Sequence, residues 1–171
     1  MSLPLSLDAL NAGAKIYDTG DDQTTYQASM DFSPDGRLWV GFACVGSHDF
    51  VCGVRKPDGP FRFRVVAKGC NNWVCDALLR VESNEDACMY VLPDGPVKGL
   101  KGGMVHRYRT RDGGQTWAKD REIAKDRNTY GAITRVHNAH PDAAVLFNSR
   151  ASNHLYLWGA QGFVQLHTSP P

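Results

Sequence analysis

Several features that often settle the class of a protein are missing from this sequence. No run approaches the ~18 consecutive apolar residues of a membrane helix, so no membrane span is expected. Lys and Arg number 19 against 18 Asp and Glu, a formal net charge of +1. Without a basic excess, the electrostatic footprint of a nucleic-acid binder is absent. Glutamate is scarce: Glu82, Glu85 and Glu122 are the whole supply. Among Cys44, Cys52, Cys70, Cys75 and Cys88 there is no Cys-x-x-Cys, which argues against a zinc ribbon or a thioredoxin-type site. Five is also an odd number, leaving one thiol over after at most two pairs. Cys44 and Cys52 flank an expected hairpin, and reduced, buried cysteines are preferred over a disulfide framework. The stretch from Met1 to Ala14 has neither the basic flank nor the solid apolar stretch of a signal peptide. No segment sustains a helical period, so the chain is expected to be all-β.

What the chain does have is repetition. Three imperfect copies open on an aromatic residue among small and polar ones: Thr25-Tyr26-Gln27-Ala28, Asn72-Trp73-Val74-Cys75 and Thr129-Tyr130-Gly131-Ala132. The aromatic recurs after 47 residues and again after 57. Each copy continues through a polar turn such as Ser33-Pro34-Asp35-Gly36, whose residue types punctuate strands for dihedral reasons. A strongly apolar second strand follows, as in Leu38-Trp39-Val40-Gly41-Phe42, Cys88-Met89-Tyr90-Val91-Leu92 and Ala144-Val145-Leu146-Phe147. Third and fourth strands complete each copy. Four strands per repeat near a period of 50 point to β-propeller blades, and face-to-face packing of blades explains second strands that are apolar on both faces.

The expectation is therefore one partial propeller domain over residues 1–171. Its four-stranded antiparallel blades lie near residues 26–67, 73–124 and 130–167, and residues 15–17 resemble a strand of a preceding blade. Three blades do not close a ring, so further blades from the same or another chain are expected as partners.

In the second copy, Thr110-Arg111-Asp112-Gly113-Gly114-Gln115-Thr116-Trp117 resembles the Asp-box, Ser/Thr-x-Asp-x-Gly-x-Thr-Trp, of sialidase-like BNR-repeat propellers. The defining positions are Thr110, Asp112, Gly114, Thr116 and Trp117. The carboxylate and hydroxyls can bond backbone N–H groups of the turn, glycine permits positive φ, and the Trp is expected to be buried as a core plug. The box is structural and specifies no chemistry. The corresponding turns at Asp58-Gly59-Pro60-Phe61 and Gln161-Gly162-Phe163 are too short for it. The resemblance implies a carbohydrate-active protein in an extracellular or surface-exposed setting. The family's Phe/Tyr-Arg-Ile-Pro motif is missing, and no glutamate is placed to activate Tyr26 or Tyr130, so no complete catalytic set is visible.

In an up-and-down blade, the start of the first strand and the turn between strands two and three share one face, here termed the mouth. The Asp-box turn lies on the opposite face. Candidate substrate-binding residues at the mouth are Tyr26, Trp73 and Tyr130, with Asn71, Asn72, Arg127, Asn128, Arg150 and His154. The aromatics could stack on sugar rings, or could be the inner plugs of each blade. Asp21, Asp22, Asp49 and Asp126 are candidate acids and bases for glycosidic cleavage, although solvated loop aspartates are the commoner explanation. Arg127 and Arg150 could bind a carboxylate bidentately, although surface arginines are the commoner explanation. His137, His140 and Asp142 carry donor atoms but fall on the wrong face, so no metal and no cofactor is called for. Arg107, Arg109 and Arg111 alternate and are expected on a solvated outer face. Two functions follow. One is a carbohydrate-binding or carbohydrate-processing module, hydrolase-like if catalytic. The other is a non-catalytic assembly or receptor-binding module of the cell-surface or viral-tail type.

Overall fold

The computed structural model describes residues 16–17, 25–44, 46–69, 77–93, 104–125, 130–134, 145–149 and 154–166. These residues form twelve strands, and no helix occurs among them. The first sheet contains β1 (Thr25–Phe32), β2 (Leu38–Cys44), β3 (Asp49–Arg55) and β4 (Phe61–Lys68). The second contains β5 (Ala77–Val81), β6 (Ala87–Val91), β7 (Met104–Thr110) and β8 (Ala118–Lys125). The third contains β9 (Tyr130–Thr134), β10 (Val145–Ser149), β11 (Leu155–Gly159) and β12 (Gly162–Leu166). Each sheet is antiparallel and pairs its strands in chain order. These are three blades of a β-propeller, and they do not close a ring.

Period-two alternation on apolar second strands stacks the sheets. In β6 all five residues are buried. Ala87, Met89 and Val91 enter an apolar layer shared with the first sheet, whereas Cys88 and Tyr90 enter one shared with the third. Strand β2 divides likewise: Trp39 and Ala43 face the second sheet, and Val40, Phe42 and Cys44 face outward beneath Tyr17, Phe61 and Phe63. One side-chain row per layer is what a strand buried on both faces supplies.

The inner strands are held by more than apolar contact. Strand β5 lies at the edge of its sheet, where a β-strand presents unpaired backbone groups. Ser29 Oγ accepts from Leu79 N at 2.8 Å, and Asp31 Oδ2 accepts from Val81 N at 2.9 Å. Side chains of β1 thus satisfy the edge donors of the next blade. Nearby, Arg37 Nη1 donates to Asn84 O at 3.1 Å and its Nη2 to Glu85 Oε1 at 3.1 Å. Across the second seam, the Arg121 guanidinium sits 5.5 Å from the centroid of the Trp158 ring.

Two sequence expectations need correction, and the preference for reduced, buried cysteines at positions 44 and 52 holds. Trp117 is half-buried against the first seam rather than enclosed, because its turn sits at the end of the sheet where the layer opens. Arg107 and Arg109 do not form a free solvated row. Arg107 Nη2 pairs with Asp120 at 2.7 Å, and Arg109 forms a two-pronged pair with Asp86, since strand pairing sets these carboxylates alongside. Cys44 and Cys52 lie on opposite faces of the first sheet, so they cannot bridge to one another. Tyr17 packs edge-on against Phe42 and Phe63, with centroids 4.9 and 4.8 Å away, but residues 16–17 carry no strand pairing.

Candidate functional site

The mouth face is built by the starts of first and third strands and the ends of second and fourth strands. In the first sheet, Thr25 pairs with Cys44, Cys44 with Asp49, and Asp49 with Lys68, so one row marks this end. Tyr26 stands one residue inside it, opposite Ala43. In the third sheet Tyr130 pairs with Ser149, and His154 immediately precedes β11. The two tyrosines therefore lie at the same end of their blades, offset by one residue in register. A register shift follows each, between Tyr26 and Ser29 and between Gly131 and Ile133. Such bulges re-aim side chains at strand ends.

Asp49 is the one carboxylate that the described residues place at the mouth end. Its Oδ1 is buried and has no hydrogen-bond partner among the described residues. A buried carboxylate oxygen without a partner is costly, and such atoms collect where a site awaits a ligand or water. The Tyr17 hydroxyl lies within its field. Burial raises the pKa of Tyr17, and the charges of Cys44 and Asp49 add to the shift. His48, directly before Asp49, has a φ of 57°, a left-handed conformation that tightens the β2–β3 turn. Asp21, Asp22, Asn71, Asn72, Trp73, Asp126, Arg127, Asn128 and Arg150 lie outside the described residues, as do His137, His140 and Asp142 and the side chains of Tyr26 and Tyr130. No group of three or more potential metal ligands occurs among the described residues.

The opposite face is ordered by the β7–β8 turn. Asp112 Oδ1 accepts from Gln115 N at 3.0 Å and Thr116 N at 2.9 Å, and Oδ2 accepts from the Thr116 hydroxyl at 2.6 Å. Thr110 Oγ1 donates to Asp112 at 2.8 Å while accepting from Gly114 N at 3.0 Å. The Thr116 hydroxyl, then the Thr116 N–H and the Thr110 hydroxyl, pull the Asp112 carboxyl down to about 2. Gly113 and Gly114 have φ of 70° and 83°. A Cβ on Gly114 would come within 2.9 Å of Val54 Cγ2 and 3.1 Å of Trp39 Cζ3. Glycine is required twice over, by dihedral and by approach. The Thr110, Asp112 and Thr116 side chains are engaged with one another and with the turn's own N–H groups, so this constellation shapes the surface.

Both comparisons at the level of sequence are empty: no family model matches this chain, and no curated protein matches it. Structure answers differently. The fold resembles part of a polysaccharide lyase. Two solved structures of a PL25 ulvan lyase, one of them bound to -[GlcA(1-4)Rha3S]-, match with a TM-score of 0.69 and 16% identity. The match covers 98% of this chain but 39% of that one. This chain therefore spans about two fifths of the length of the lyase, and at 16% identity the likeness is one of fold.

Arg37, Arg62 and Arg64, which belong to no motif in the sequence, line a cavity of about 410 Å³ on the turn face. The alternation Phe61-Arg62-Phe63-Arg64 was the available signal, since it puts aromatics on one face of β4 and guanidinium groups on the other.

Proposed function

We propose that this chain is a carbohydrate-binding or carbohydrate-processing propeller module whose site lies at the mouth face and is completed by further blades. The observation that supports this most is the fold likeness, along nearly the whole chain, to a polysaccharide lyase bound to a glycan. In this reading Tyr26, Trp73 and Tyr130 form part of a stacking rim, and Asn71, Asn72, Asn128 and His154 bond hydroxyls. Arg127 and Arg150 take carboxylate or sulfate groups. Asp49, with Asp21, Asp22 or Asp126, supplies proton transfer where the assembled protein cleaves its substrate. The finer, sialidase-like assignment rests on Thr110, Asp112, Gly114, Thr116 and Trp117 alone. An array of neutral, sialylated and uronate-containing glycans, read with the wild-type chain and Trp73→Ala, tests the proposal. Loss of about 1–3 kcal/mol of binding with an unchanged far-ultraviolet spectrum is expected. Absence of binding to every glycan class sinks it.

A second reading, a non-catalytic assembly module, is favoured by one feature of the first sheet. Met30 and Phe32 are 70% and 62% exposed on the face turned away from the second sheet. Exposed neighbouring apolar residues of this size commonly mark an interaction surface, and a preceding blade is the partner whose shape fits.

A further inference from the structure

The cavity on the turn face lies where the first sheet meets the β7–β8 turn of the second, at the opposite end of the strands from the proposed mouth. Val54 and the backbone of Gly113 and Gly114 line it, beside Pro60, and Arg62, Arg64 and Lys56 bring the charge. Of the cavity's acidic residues, Glu85 is paired with Arg37 at 3.1 Å, and the Asp112 carboxylate is turned onto its own N–H groups. Arg62 and Lys56 make no ion pair among the described residues, and Arg64 Nη1 is engaged only by the Phe63 carbonyl, at 2.9 Å. Three cations therefore face a groove whose nearby anions are already committed.

Arg62 and Arg64 are two residues apart on one strand, so their backbone positions are roughly 7 Å apart on a single face. That separation suits two anionic groups carried on one chain better than one small ion. A volume of about 410 Å³ exceeds what a single anion fills and falls in the ordinary range of ligand clefts. The glycine-floored, Val54- and Pro60-edged surface offers flat apolar contact to the C–H face of a sugar ring, while guanidinium groups pair with carboxylate or sulfate oxygens. The geometry points to a second glycan site: a groove on the turn face that binds a short acidic oligosaccharide through Lys56, Arg62 and Arg64, independently of the mouth.

The test is calorimetric titration of the 171-residue chain with hexasaccharides of hyaluronan, chondroitin sulfate and cellulose. Both acidic sugars should bind and the neutral one should not, with affinity falling as salt rises. The double variant R62E/R64E replaces exposed side chains and should keep the wild-type thermal midpoint while losing roughly tenfold or more in affinity. R62E/R64E leaves every mouth residue in place, so binding that the double variant loses belongs to the groove and binding that it keeps belongs to the mouth, which separates failure of the groove from failure of the mouth reading. Equal binding of the acidic sugars by R62E/R64E, equal binding of the cellulose hexasaccharide, or full competition by equimolar sodium sulfate would each overturn the proposal.

Discussion

The two faces of the first sheet carry matching rows of side chains and meet opposite fates. Toward the second sheet, Trp39 is fully buried and Leu79, arriving from β5, is 1% exposed. On the other face, Met30 holds the place in β1 that Leu79 holds in β5, opposite Val40 as Leu79 is opposite Met89, and is 70% exposed. The strands, residue types and register are alike; the difference is the presence of a neighbour. A neighbouring blade here supplies both an apolar lid and, through Ser29 and Asp31, acceptors for edge N–H groups. Blades are thus stabilised as pairs, in the way repeat proteins draw on nearest-neighbour interfaces.

Substitution on the two faces breaks that symmetry most sharply. Leu79→Ala should cost about 2–5 kcal/mol in urea unfolding, as truncation in a packed core does. Met30→Ala should change stability by about 0.5 kcal/mol or less while its face is uncovered. Equal costs for the two would mean that the outer face is packed as well.

The turns allow a narrower comparison. Gly114→Ala should destabilise by roughly 1–3 kcal/mol, from a φ in the left-handed region and the close approach to Val54. Gly59→Ala, whose new Cβ would meet Lys56 Cβ at 3.6 Å, should be nearly neutral in the same thermal melts.

Asp112→Ala should lower stability by about 1–3 kcal/mol through unsatisfied turn donors. The effect is pH-dependent with a defined sign. The folded carboxyl titrates at about 2, below its unfolded value of roughly 3.9. Its contribution is complete above the unfolded value and lost as pH falls toward the folded one. The gap in urea midpoint between wild type and Asp112→Asn should therefore shrink from pH 5 to pH 2; a constant gap would contradict the hydrogen-bonded carboxylate.

A smaller loss than at the turn is expected at the seam's polar side. Asp31→Ala should cost about 0.5–1.5 kcal/mol and speed hydrogen exchange at Val81 N, leaving β6 amides unaffected.

Much of this fold was legible because it rests on local pattern. The doubly apolar β2 and β6, the turn punctuation, and the Thr110–Trp117 constellation are all short-range signals that packing did not override. What escaped was contact between copies. Nothing about Ser29, Asp31 or Arg37 in isolation says that each reaches about fifty residues along the chain, because the reach is set by how one sheet stacks on the next. Trp117 was expected to be enclosed for the same reason: the motif fixes the turn, while the depth of the layer depends on the neighbouring sheet. At the mouth, the sequence proposed Tyr26, Tyr130, Asp49 and His154. The strand register gathers Tyr26 with Asp49 at one end of the first sheet and Tyr130 with His154 at one end of the third.

Cys44, Cys52 and Cys88 put one sulfur into each of the three apolar layers. Burial pushes the Cys52 thiol up to about 12 and the Cys88 thiol up to about 11, so neither forms an appreciable thiolate while its layer is shut. An alkylating reagent consequently reacts with either of these two sulfurs only after its seam opens. The chain carries its own clocks, and the rates at which Cys52 and Cys88 are labelled time the opening of the first and second seams separately.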